Sequence, residues 1–176
     1  MSNPTDPAER TRPPMSADER TMLLAFLTFQ RQTLRAKASG LTAEQVRATL
    51  SPSSLTLAGL LKHMAFVEDM WFGQVLRGDP PQPPWDTVDW AADRDWEFHT
   101  AAGDPPGDVF ALFDRAVARA DEILAAEADL DAVAAAARHG RRPSLRWILL
   151  HMIEEYARHN GHADLIRESI DGRTGV

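Results

Sequence analysis

The segment from Ser144 to Gly172 constrains the fold of this chain more than any other, because its apolar residues recur at helical spacing. Spacings of three, four and seven residues place them on one face of a single α-helix. These residues are Leu145, Ile148, Met152, Tyr156, Ala163, Ile166 and Ile170. Ser144 is suited to cap the start of such a helix and Gly172 its end. The sequence therefore predicts a helix over residues 144–170 with one buried face.

Three other segments show the same amphipathic pattern and predict helices over 17–38, 54–77 and 107–127. Ser16 and Glu19 have the spacing of a capping box, Ser54 is a candidate cap for the second helix, and two prolines precede the third. No segment alternates apolar and polar residues between turn signals, as a β-strand would. The pattern predicts an all-α fold, a four-helix bundle with long connections.

Outside these helices, residues 1–15 are polar and contain four prolines, which predicts a disordered N-terminal tail. The length of 176 residues favours one domain, here residues 16–176. The connection after the second helix is rich in proline, yet it contains Trp85 and Trp90. We expect these tryptophans to pack onto the bundle.

Composition excludes several functions. The net charge of −7 argues against nucleic-acid binding, which needs a dense field of Lys and Arg. The basic stretch "RHGRR" at 138–142 is short, and we interpret it as a solvated loop. With no cysteine, the chain has no disulfide and no Cys-based metal site. No apolar run suits a membrane span or a signal peptide, so we expect a cytoplasmic protein.

The last predicted helix carries polar groups where a core is expected. His159 lies in the middle of the apolar stripe, and Glu155 lies four residues earlier at its edge. Burying a lone carboxylate costs several kcal/mol, which a divalent cation would offset. His63 lies at the edge of the apolar stripe of the second helix. From the residues alone, a buried ion pair is an equally good interpretation.

Other polar residues of these helices and loops have simpler interpretations. We expect Glu68 to be structural and to bond a capping group or an arginine across the bundle. His99, His139 and His151 are interpreted as solvated or boundary residues.

Two stretches carry a family resemblance. "LAGLLKHMAFVEDMWFGQVLRG" and "WILLHMIEEYARHNGHADLIRESIDG" resemble the second and final helices of the DinB-like (YfiT-type) superfamily of metalloenzymes. That superfamily includes mycothiol- and bacillithiol-dependent transferases. The resemblance implies a four-helix bundle, a frequent homodimer, and a metal held by His63, Glu155 and His159. Most relatives have His at the position of Glu155, and the Glu form resembles the mycothiol-dependent maleylpyruvate isomerase branch. His162 replaces a common Gln and is a candidate extra ligand or neighbouring group.

Two histidines and one carboxylate leave coordination positions open, as catalytic metals require. Zn²⁺ is the first choice of metal, followed by Ni²⁺, Fe²⁺ and Mn²⁺. Because the chain has no cysteine, a reacting thiol must come from a cosubstrate, and the resemblance implies mycothiol. The leading prediction is a metal-dependent thiol S-transferase or isomerase acting on a small electrophile. One alternative is a metal-dependent hydrolase of a small amide or ester, with Glu154 or His162 as general base. The other is a non-enzymatic stress protein that binds a metal or small ligand.

Overall fold

The computed structural model describes residues 10–174, and this part of the chain is all-α. Its helices are α1 (Glu19–Ala38), α2 (Leu57–Glu68), α3 (Trp96–Ala101), α4 (Pro106–Ala126) and α5 (Leu145–Asp171). A π-helical stretch, Asp69–Arg77, continues α2 without a break. Residues 10–174 contain two isolated β-bridges and no strand. The predicted all-α class is confirmed, and the short helix α3 is added to the four long ones.

The four long helices share one core. α1 packs against α5 and α2 packs against α4, while α2 also contacts α5 and α1. Both predicted apolar stripes face this core: Leu57, Leu60, Met64, Val67, Trp71 and Val75 are buried on α2 and its extension, and all of the α5 stripe except Ile170 is buried. Polar residues at the edges of the two stripes therefore lie near each other. No helix within residues 10–174 is long and apolar enough to cross a bilayer.

Two of the four predicted caps are confirmed and two are wrong. The Ser144 side chain accepts a hydrogen bond from the Trp147 backbone NH, and Gly172 ends α5 in the left-handed conformation (φ 74°). α1 is capped by Asp18 instead of Ser16, and α2 by Thr56 instead of Ser54. In both helices the capping residue has an extended backbone, and its side-chain oxygen accepts a hydrogen bond from the NH three residues later. The negative charge of Asp18 also suits a helix N-terminus.

Glu68 is the centre of a buried polar network between α1, α2 and α5. It is fully buried and accepts hydrogen bonds from Arg31 Nε (2.7 Å) and Nη2 (2.6 Å). The Tyr156 hydroxyl donates to the same carboxylate at 2.7 Å. Burial and the adjacent carboxylate raise the Tyr156 pKa well above its ordinary value, so the hydroxyl stays protonated. The predicted structural role of Glu68, with an arginine partner, is confirmed.

The two long connections pack against the far end of α2. Trp85 is buried, and the Trp90 ring stacks on Phe66 with 4.5 Å between ring centroids, as expected for this proline-rich segment. The connection between α4 and α5 is fixed by backbone bonds from Ala135 NH and Ala136 NH to the carbonyls of Leu76 and Val75. These bonds hold the basic segment 138–142 beside the start of α5.

Most of the predicted N-terminal tail, residues 1–9, lies outside the described residues. Arg10 donates a hydrogen bond to the Thr33 hydroxyl (2.8 Å), and the Thr11 NH donates to the Gln32 side chain (3.0 Å). Both partners lie on α1, so this end of the tail contacts the bundle. The predicted single domain over 16–176 stays a prediction.

Candidate metal centre

The structure brings together the three side chains implied as metal ligands. His63 on α2 and Glu155 and His159 on α5 each offer one ligand atom, and these atoms all lie within 4.8 Å of one another. His159 Nε2 is 3.5 Å from a Glu155 oxygen. Ligand atoms around one tetrahedral ion at about 2.0–2.1 Å are about 3.3 Å apart. The arrangement therefore needs only small side-chain movements to surround one ion.

His63 is held by a partner that the sequence did not indicate. Its Nδ1 lies 2.8 Å from Glu97 Oε1 on α3, and its ring stacks on Phe98 at 4.6 Å between centroids. A carboxylate at Nδ1 accepts a hydrogen bond from the NH of that nitrogen and leaves the Nε2 lone pair available, as in metal-bound histidines. Glu97 is buried, and its Oε2 accepts no hydrogen bond from residues 10–174. Its buried negative charge would be offset by a nearby cation.

The electrostatics of the other two groups also fit a cation. Burial, followed by repulsion from His63 and His162, lowers the His159 pKa to about 4. This imidazole is therefore neutral at pH 7 and can donate a lone pair. Glu155 has only histidine nitrogens within ion-pair distance among the described residues, namely His151 at 3.7 Å and His159 at 3.5 Å. No lysine or arginine within residues 10–174 neutralises this half-buried carboxylate, so the donor set fits a divalent ion.

The two candidate bases have different positions. His162 lies next to the centre, with its Nδ1 3.5 Å from His159 Nδ1. Glu154 points away from it: its side chain is 59% exposed and accepts a hydrogen bond from Arg158 at 2.6 Å. Of the two, His162 is the closer to the centre, and it contacts the Nδ1 of His159, the nitrogen opposite the Nε2 that faces Glu155.

The histidines expected to be solvated or at the boundary fall into two groups. His99 is exposed and bonds the Asp93 carboxylate (2.9 Å), and His139 is exposed in the α4–α5 connection. His151 is at the boundary as expected, but it stacks on Trp147 (4.9 Å between centroids) and reaches Glu155. His151 therefore links the metal centre to an aromatic surface.

A cavity of about 340 Å³ lies beside α2 and its π-helical extension, and none of the three candidate ligands lines it. Phe66, one turn after His63, contributes to its wall. The remaining lining residues come from the end of α2, the proline-rich loop and the α4–α5 connection: Met70, Gln74, Pro81, Trp85, Trp90, Arg94 and Arg138. The proline-rich loop and Arg138 therefore both contribute to the wall of this cavity.

We expect Glu97→Gln to weaken metal binding by about 10-fold to 100-fold, the range for partners of metal-bound histidines. The amide keeps the shape but loses the charge that orients and polarises His63. Asp93→Asn is a matched control, because Asp93 makes the same type of contact with the exposed His99. Competition with a chromophoric chelator measures both affinities. Equal affinities for Zn²⁺ in the two variants would contradict the assigned role of Glu97.

Comparison with known proteins identifies the family of this chain. A family model described as Mycothiol-S-transferase matches residues 22–172. The match runs from the first turn of α1 to the cap of α5 and includes every residue of the candidate centre. No curated protein matches the chain. The family match confirms the resemblance to the DinB-like superfamily and its mycothiol branch. The chain belongs to the mycothiol S-transferase family.

Proposed function

We propose that this protein is a divalent-metal-dependent transferase that joins the sulfur of mycothiol to a small electrophile. The observation that carries the proposal is the convergence of His63, Glu155 and His159 within 4.8 Å, with His63 oriented by the buried Glu97. The family match over residues 22–172 supports mycothiol as the thiol.

Each residue of the centre has a distinct part in this proposal. His63 and His159 would hold the metal through neutral nitrogens and Glu155 through an oxygen, with Zn²⁺ the first choice and Ni²⁺, Fe²⁺ or Mn²⁺ the alternatives. A divalent ion held there would lower the pKa of a thiol that reaches it and so favour the thiolate near neutral pH. His162 contacts the Nδ1 of His159 and would orient that ring. The chain supplies no sulfur nucleophile, because it contains no cysteine.

The reaction then has a simple balance. The sulfur forms a bond to the electrophilic carbon, and the leaving group departs with the bonding pair of electrons. The proton lost by the thiol passes to solvent. A homodimer and a cytoplasmic location remain predictions that rest on the family and on composition.

Thiol-dependent turnover tests the proposal. Purified protein loaded with Zn²⁺ should convert 1-chloro-2,4-dinitrobenzene to its mycothiol thioether with release of chloride, followed by absorbance. Treatment with a chelator should remove the enzymatic rate, and Zn²⁺ should restore it. Glu155→Gln should lower the rate by at least about 10-fold. The loss of a metal ligand should weaken metal binding at least as much as the loss of a residue that only hydrogen-bonds a ligand.

Two outcomes would favour the alternatives. Hydrolysis of a small ester or amide without added thiol would indicate the metal-dependent hydrolase. Tight metal binding with no turnover of any electrophile in the presence of mycothiol would indicate a non-enzymatic metal-binding protein.

A further inference from the structure

A second cavity, here called the basic groove, lies at the start of α5 and has a volume of about 420 Å³. Three arginines and one histidine of the α4–α5 connection line it together with two tryptophans. The lining residues are Trp71, Arg138, His139, Arg141, Arg142, Pro143, Ser144 and Trp147. None of them is acidic, although the chain as a whole carries a net charge of −7. The groove is therefore a local concentration of positive charge.

The arginines of the basic groove lack the partners that other arginines of this protein have. Within residues 10–174, the side chains of Arg138, Arg141 and Arg142 make no ion pair. Carboxylates pair with seven other arginines, Arg31, Arg35, Arg77, Arg119, Arg146, Arg158 and Arg167. Burial lowers the Arg138 pKa. The groove thus holds a partly buried guanidinium that no carboxylate of the described residues neutralises.

The loop that carries these arginines has a defined backbone. The NH groups of Arg138 and Arg141 each donate to the carbonyl of the other residue, at 2.8 and 3.1 Å. Between them, His139 (φ 52°) and Gly140 (φ 74°) both adopt the left-handed conformation of a tight hairpin turn. The expectation of a solvated loop holds for Arg141 and Arg142, which are exposed, but Arg138 is half-buried against Trp71. The turn therefore places the Arg138 guanidinium against an aromatic surface.

That surface is formed by three rings in mutual contact. The Arg138 guanidinium lies 5.5 Å from the Trp71 ring centroid. Trp71 lies 5.3 Å from Trp147 and 4.8 Å from His151 between centroids, and Trp147 stacks on His151. Trp147 is 48% exposed. A flat, exposed indole beside guanidinium groups is suited to a planar ring that bears an anionic group.

His151 links the basic groove to the candidate metal centre. Its ring contacts both tryptophans, and its Nε2 is 3.7 Å from Glu155 Oε1. A ring resting on Trp147 would have its anionic group near the arginines. We propose that the basic groove binds the acceptor substrate and selects an aromatic electrophile that carries a carboxylate. The role of the groove as an acceptor site rests on the proposed transferase function, whereas the binding of an aromatic carboxylate does not.

Binding without thiol tests the groove separately from the reaction. 3-Nitrobenzoate and the uncharged 3-nitrobenzamide are unreactive probes of the same shape, and calorimetry measures their affinities for the metal-loaded protein. We expect the benzoate to bind about 10-fold more tightly, as one charge-assisted hydrogen-bonded contact supplies. Arg138→Gln and Arg142→Gln should each remove most of that difference. Arg115→Gln removes an equal charge from an exposed position on α4 outside the groove and should leave the difference in affinity unchanged.

Two binding results would overturn the inference. One is equal affinity of the wild-type protein for the benzoate and the benzamide, or a difference that persists in Arg138→Gln. The other is equal affinity for 3-nitrobenzoate and acetate, which has the same carboxylate and no ring, because the aromatic surface would then contribute nothing.

The reactive pair 4-chloro-3-nitrobenzoate and 4-chloro-3-nitrobenzamide separates this inference from the proposed function. In both, sulfur bonds to the ring carbon and chloride leaves. With mycothiol, we expect the ratio of kcat/KM for the benzoate to that for the benzamide to exceed the ratio of their uncatalysed rates by about 10-fold. Arg138→Gln should abolish this preference. Tight benzoate binding without turnover of either compound would support the groove and contradict the transferase. Equal turnover of both would support the transferase and overturn the groove.

Discussion

Replacing His159 by alanine is expected to lower Zn²⁺ affinity by at least about 100-fold, beyond the range for losing a partner of a metal ligand. Of the three implied ligands, His159 is the least exposed, at 12% of its side chain. It lies within reach of both others, 4.9 Å from His63 between ring centroids and 3.5 Å from Glu155 between atoms. Glu155→Gln should bind more tightly than His159→Ala, because the amide oxygen keeps its position and loses only the charge.

Plasma mass spectrometry after mild chelation and addition of Zn²⁺ measures how much zinc each variant binds per chain. His99→Ala is the matched control, because this histidine also bonds a carboxylate but its side chain is 65% exposed. It should retain the wild-type content. If His159→Ala retains it too, the pair formed by Glu155 and His159 is an ion pair of the helical core and not part of a metal site.

The Arg31→Met variant should show the largest loss of stability. The substitution leaves Glu68 fully buried without its cation, which costs about 3–5 kcal/mol. For a chain of this length, that loss corresponds to a fall in Tm of about 10 °C. Arg35→Met, one turn further along α1, removes a more exposed contact to Asp114 on α4 and should cost about 1 kcal/mol or less.

A double variant separates the buried charge from the packing. Adding Glu68→Met to Arg31→Met removes the stranded carboxylate, and stability should partly recover. Chemical denaturation of the single and double variants, monitored by helical circular dichroism, measures the three free energies. A double variant as unstable as the sum of its single substitutions would contradict the account of this network.

The elements with strong local signals were predictable from the sequence. The apolar stripes of α2 and α5, the Ser144 cap and the Gly172 cap are each determined by residues within one or two turns of one another. Errors arose where neighbouring residues compete for one role. Ser16 and Asp18 are both good caps, as are Ser54 and Thr56, and backbone conformation at the helix start decides between them.

What the sequence could not indicate depends on which distant segments meet. Glu97 lies in a six-residue helix with no repeating pattern, and its contact with His63 follows from how α3 packs on α2. The basic segment 138–142 likewise resembles a solvated loop until the backbone bonds of Ala135 and Ala136 to the end of α2 hold it beside Trp71. Such tertiary contacts have no signature in local spacing.

Anomalous diffraction from crystals of the Zn²⁺-loaded protein, recorded on both sides of the zinc edge, tests the central claim most directly. We predict one strong difference peak per chain, at about 2.0–2.2 Å from a nitrogen of His63, a nitrogen of His159 and an oxygen of Glu155. A peak at other residues, or none in a protein that carries stoichiometric zinc in solution, would contradict the assignment of these three residues as the metal centre.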